Sequence, residues 1–129
     1  VKGLVLLVVD DVAARLSRPR RWTKQMWGGI RPRHGDEPIM TGALDDAANC
    51  WCISGAISRS ISDLGDRGKL GGASLAELRD EIEDFLWAVL NSGGEPCVSL
   101  PSWNDAPGRK HEDVVALLVA AWFVGSEAA

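Results

Sequence analysis

The sequence predicts a mainly α fold: a small single-domain bundle of about four helices with two long irregular loops and room for one short hairpin. Three observations carry this. Apolar residues recur at helical steps of three and four in four separate segments. Ser, Asp, Asn and Gly stand where those segments begin and end. Two stretches dense in Pro and Gly divide them. A chain of 129 residues, 46% apolar and 25% charged, suits one packed core and excludes a disordered or fibrous chain. One domain over 1–129 is therefore expected, with a frayed tail at 125–129.

The clearest helix is 74–90. Leu75, Leu78, Ile82, Phe85 and Val89 form its stripe and acidic residues fill the other face. Ser74 with Glu77 makes a capping box, and Asn91, Gly93 and Gly94 supply the stop. A second helix is expected over 46–64, with Cys50, Ile53, Ile57, Ile61 and Leu64 on one stripe and Asp45 or Asp46 as its cap. Gly55 and Ala56 are small enough to let another segment approach that helix closely. The last helix is expected over 111–123, with Val114, Leu117, Leu118, Ala121 and Trp122 inward and Gly125 ending it; Glu112 and Asp113 suit its first turn. Residues 4–17 fit two readings. Leu4 to Val9 suits a buried strand, but Leu4, Val8, Val12 and Leu16 continue a helical stripe past Asp10 and Asp11, which favours a helix.

The loops span 18–44, with the hairpin expected around Trp27 and Ile39, and 92–109, where Pro101, Pro107 and Gly108 require a tight turn. Loops of that length often carry function. No apolar run approaches the ~20 residues of a membrane span. No secretory signal is recognisable either, so a cytoplasmic protein without a membrane role is expected. Three cysteines, Cys50, Cys52 and Cys97, do not make a disulfide framework.

The net charge is −4, but residues 12–35 hold seven Arg or Lys side chains and no Asp or Glu. This basic stretch, 15–33, with Trp22 and Trp27 interleaved, has the ingredients for gripping phosphates and stacking on bases. The plainer reading is a solvated loop whose arginines pair with the acids of 77–84, which the overall negative charge favours.

Trp103-Asn104-Asp105-Ala106-Pro107-Gly108-Arg109 is the most distinctive stretch. It reads either as a structural elbow, with Trp103 in the core and Arg109 on Asp105 or a carbonyl, or as a pocket rim with Arg109 holding an anion. Cys52 near a helix start is a weak nucleophile candidate with His34 or His111 as base, against the plainer reading of a small buried hydrophobe. Cys50-x-Cys52 is not a metal-knuckle spacing, so no metal and no cofactor are expected.

Asn49-Cys50-Trp51-Cys52-Ile53-Ser54-Gly55-Ala56-Ile57 and Trp103 to Arg109, with His111-Glu112-Asp113-Val114 after them and Arg21-Trp22-Thr23-Lys24 before, resemble a family of small bacterial and phage proteins known as a domain of unknown function. The resemblance covers about residues 4–122. It implies that Trp22, Cys52, Gly55, Ala56, Trp103, Asn104, Asp105, Gly108 and Arg109 belong to a signature, and that the first segment is helical. It brings no activity. A Thr usual in that family after Gly-Arg is Lys110 here, so the last helix needs another cap, for which Asp105 is the candidate.

With no recognisable nucleophile, base and orienter, no enzyme is expected. The favoured reading is a binding or adaptor protein that recognises a protein or small molecule through loops 18–44 and 92–109, using Trp22, Lys24, Trp103, Asn104, Asp105 and Arg109. A nucleic-acid-binding accessory protein using 15–33 and a cysteine hydrolase or transferase centred on Cys52 are the alternatives. Six tryptophans exceed what one small core can take, so aromatic surface for a homodimer is expected.

Overall fold

The helical stripe prevails over the β-branched run at the start of the chain. In the computed structural model, which describes residues 3–35, 37–94 and 99–127, helix α1 (Gly3–Arg15) buries Val5, Val8, Val9 and Val12 on one face. It packs against two other long helices, α2 (Ile53–Asp66) and α5 (His111–Glu127). Arg15 fixes the α1 to α2 contact, donating to Asp63 at 2.9 Å, to Asp11 at 3.1 Å and to the Ser60 hydroxyl at 3.2 Å.

Helix α2 begins at Ile53 and not near Asp46. Residues 45–48 form a turn closed by the Ala47 N–H on Asp45 Oδ1 at 2.8 Å, and Cys50–Trp51 are strand β3. Asp45 and Asp46 therefore do not cap α2. Cys52 does, its sulfur accepting the Gly55 N–H at 3.2 Å. Gly55 permits the close approach read from the sequence, because the Trp27 carbonyl lies against the helix backbone there.

The expected hairpin is present as β1 (Gly28–Ile30) and β2 (Ile39–Thr41), antiparallel with Gly29 opposite Met40. β3 pairs antiparallel with the other edge of β1, giving the order β2-β1-β3.

Helix α3 (Leu75–Ser92) starts on the capping Ser74 hydroxyl, 3.4 Å from the Glu77 N–H. Its buried line is Leu78, Ile82, Leu86 and Leu90, while Leu75 is exposed and Phe85 and Val89 sit at the margin. A short helix, α4 (Leu100–Asn104), occupies the second loop, with Ser99 as its cap and Pro101 in its first turn. Helix α5 is capped by Asp113, whose Oδ2 accepts the Lys110 N–H at 2.9 Å; Asp105 is engaged elsewhere.

α5 does not end at Gly125. Gly125 is buried inside it, where a Cβ would come within 2.3 Å of a Leu6 methyl, so glycine lets α1 and α5 close together. Val114, Leu117, Leu118 and Ala121 face the core as expected. Trp122 does not: it stands outward beside Phe123, edge to face at 5.5 Å. Among the described residues no helix is long and apolar enough to cross a membrane.

Candidate functional site

The two loops meet through one buried amide. Asn104, at the end of α4, has no solvent exposure. Its Oδ1 accepts the Trp22 indole N–H at 2.7 Å and the Ile53 N–H at 3.0 Å. Its Nδ2 donates to the Thr23 carbonyl at 3.1 Å and to Asp105 Oδ1 at 3.0 Å. The amide thus satisfies an orphan N–H at the start of α2 while holding residues 22–23 to the second loop.

Neighbouring bonds extend the strap. Asp105 Oδ1 also accepts the Gln25 N–H at 2.8 Å, and Lys24 Nζ donates to the Ala106 carbonyl at 2.9 Å. Gln25 is held at φ +63°, a left-handed conformation uncommon for a residue with a side chain. This turn sends Met26 and Trp27 along the start of α2 and into β1.

A cleft of about 420 Å³ lies between the strapped segments. Gln25, Met26 and Trp27 form one wall, Met40 and Thr41 of β2 another, and Cys52, Pro101 and Asp105 close it. Trp27 also carries the Arg79 guanidinium over its ring at 5.3 Å.

Of the residues read from the sequence, Asp105 and the weak candidate Cys52 line this cleft. Trp22, Lys24 and Asn104 serve as the strap behind it. Trp103 is buried, and Arg109 lies over its ring at 4.1 Å while donating to its carbonyl at 2.9 Å, so this pair braces the second loop. Trp103 and Arg109 thus match the elbow reading, and of the rim residues Asn104, Asp105 and Arg109 only Asp105 lines the cleft. Sequence patterning does not single out Gln25, Met26, Met40, Thr41 and Pro101. The available signal was the pair of apolar dipeptides, Met26-Trp27 and Ile39-Met40, inside an otherwise polar loop.

Cys52 is 6% exposed, and its thiol pKa is raised. Burial is the main cause and the Asp105 carboxylate adds to it, while the Gly55 N–H opposes. The thiol is therefore protonated at neutral pH. Burial likewise pushes the Cys50 thiol up, the nearby Arg31 opposing. His34 is exposed, and His111 donates through Nε2 to the Leu16 carbonyl at 2.6 Å; neither lines the cleft. Cys97 lies outside the described residues. We expect Cys52 to react slowly with a thiol reagent at pH 7 and to accelerate only above its ordinary titration range. Residue-resolved alkylation by mass spectrometry checks this, and rapid labelling at pH 7 would reinstate a reactive cysteine.

None of the described ion pairs joins the basic stretch to the acids of α3. Arg15 is bound to Asp11 and Asp63, and Arg79 pairs with Glu83 inside α3. Arg18, Arg20, Arg21, Arg31 and Arg33 line a groove of their own. Among the described residues no group of three or more His, Cys, Asp or Glu could hold a metal ion.

Fold and site together define a small helical domain with a three-stranded sheet at one loop, in which a buried amide fixes two long loops around a ligand-sized cleft. The chain belongs to a family of unknown function, DUF6197, whose model matches residues 4–123. No curated protein and no solved structure matches it.

Proposed function

We propose that this is a non-enzymatic binding protein whose cleft takes an apolar group ending in a cationic or hydrogen-bond-donating head, presented by a small molecule or a protein partner. The observation that carries this reading is the cleft's construction, with both loops in its walls and the buried Asn104 behind them. Ordering irregular backbone costs about 1–2 kcal/mol per residue, and the Asn104 and Asp105 bonds offset part of that cost before any ligand arrives. A preformed cleft of about 420 Å³ falls in the range of small-ligand sites.

Its chemistry is mixed. Met26, Met40 and Trp27 offer polarizable apolar surface that adapts to shape. Trp27 and Met40, both in the cleft walls, are 47% and 67% exposed, apolar surface that a ligand would cover. Asp105 adds an acceptor: Oδ1 is engaged, and Oδ2 has no partner among the described residues. Chemistry at Cys52 draws no support from a protonated thiol without a histidine in its cleft.

A thermal-shift screen of hydrophobic amines against carboxylates of the same carbon skeleton tests the reading. Amines are expected to raise Tm, and Asp105→Asn to weaken the best of them by about 10-fold, the usual worth of a charge-assisted hydrogen bond. Equal binding of the carboxylates, or no change in the variant, would sink it.

A second copy of the chain is the partner we infer for the outer face of α5. Val119, Trp122, Phe123 and Val124 are exposed there, and Val9, Ala13, Leu118 and Val119 line a shallow apolar groove beside them. Two-fold pairing of this face would cover both sets at once. Light scattering is expected to give a mass near twice 13.9 kDa, reduced to the monomer by Trp122→Glu; a monomer at high concentration rejects the dimer.

A further inference from the structure

The arginines at residues 18, 20, 21, 31 and 33 meet at one groove of about 560 Å³ with Pro19, Pro32 and Asn49. Side-chain bonds to the backbone build this groove. Pro19–Arg21 form a single 3-10 turn. Arg20 donates from Nη2 to the carbonyls of Pro32 at 2.7 Å and Gly35 at 3.2 Å. Arg31 donates back to the carbonyls of Arg20 at 2.9 Å and Trp22 at 3.1 Å. Asn49 exchanges two bonds with the backbone of Arg31, at 2.7 and 3.0 Å. The two segments are thus cross-linked by two guanidinium groups, and Arg18, Arg21 and Arg33 stand exposed beside them.

None of the described carboxylates forms an ion pair with Arg18, Arg20, Arg21 or Arg33; those of the described ion pairs lie on Arg15, Arg59, Arg79, Arg109 and Lys110. Carbonyl partners orient a guanidinium without cancelling its charge. Gathering like charges in this way opposes folding, and a bound anion would relieve the repulsion while using the forked donors bidentately.

We propose that the groove binds a compact ligand carrying two or more adjacent phosphoryl groups. Three features favour that ligand over a nucleic-acid strand. The chain has a net charge of −4 even with these arginines included, so the surface beyond the groove repels a long polyanion. The volume suits a small ligand. The tryptophans that would stack on bases are engaged elsewhere, Trp22 on Asn104 and Trp27 at the cleft.

Titration calorimetry of the full chain with inorganic tripolyphosphate, in a buffer free of phosphate and at low salt, tests the assignment. Saturable one-to-one binding is expected. Arg21→Gln with Arg33→Gln is expected to weaken it by about 30-fold, at roughly 5-fold to 6-fold per lost contact in a partly screened site. Neither side chain makes a hydrogen bond or ion pair among the described residues, so the fold is expected to be kept, which circular dichroism verifies. Arg67→Gln, a surface arginine outside the groove, is expected to leave affinity unchanged. Absence of saturable heat, or an equal loss in Arg67→Gln, overturns the site. Tighter binding of a short DNA duplex than of tripolyphosphate, with a steep log–log salt slope, overturns it in favour of nucleic acid. None of these outcomes depends on the cleft beside Asp105.

Discussion

Gly55→Ala is expected to destabilise the fold by about 3 kcal/mol or more and to erase the cleft. An added Cβ would lie 1.8 Å from the Trp27 carbonyl oxygen and 2.6 Å from its carbon. Overpacking usually costs about 1–3 kcal/mol because side chains can rotate or shift. Here the obstacle is backbone, pinned on one side by the Gln25 N–H on Asp105 and on the other by strand β1. Relief requires residues 25–28 to leave the helix, and with them goes one wall of the site. Urea unfolding would show a lowered midpoint at unchanged slope. Gly65→Ala in the same helix is the control: its nearest neighbours are Leu75 methyls at 3.8 Å, so replacing a helix glycine there is expected to be neutral or to stabilise by up to about 1 kcal/mol. Equal midpoints for the two variants would contradict the close packing of Trp27 on α2.

The close approach at Gly55 was legible in the sequence because it depends on one helix and a missing side chain. So was the start of α3, since Ser74 and Glu77 make their cap within a single turn. The start of α2 was not. Cys50 is buried whether residue 50 is helical or in a strand, so the apolar stripe could be extended through it; what decides is pairing with β1 at Gly29. Trp122 was misplaced for a related reason, since α5 is apolar on nearly every side and its period does not single out a face. In the 103–109 motif, local chemistry suggests an elbow or a pocket rim. Three of the four bonds of Asn104 run to Trp22, Thr23 and Ile53, distant positions that no local pattern specifies. The convergence of the arginines is hidden similarly, because it follows from the turn at Pro19 and the pairing of Asn49 with Arg31.

Asn104→Ala is expected to cost about 4 kcal/mol, the larger part from groups left behind and not from lost volume. The indole N–H of Trp22, the N–H of Ile53 and the carbonyl of Thr23 all lose a partner whose own side chain has no solvent exposure, at about 1–3 kcal/mol for each that finds no replacement. These costs do not add fully, because the strap relaxes as one unit once its centre is gone. Asn104→Asp separates the two halves of the amide's role. It keeps an acceptor for Trp22 and Ile53 but places a second oxygen where Nδ2 now lies 3.0 Å from Asp105 Oδ1 and 3.1 Å from the Thr23 carbonyl. Two carboxylates that close cannot both ionise, so the folded-state pKa of the pair is raised above the unfolded value of about 4. The folded variant then holds more protons than its unfolded chain above that pH. Its stability is full at acid pH and falls as pH rises through the raised folded-state value. The wild-type amide does not titrate, so the deficit of Asn104→Asp relative to wild type should widen between pH 4.5 and pH 8 in parallel urea titrations. A deficit that stays constant over that interval would mean that the new carboxylate does not face Asp105, and that the strap behind the cleft is not closed by this amide.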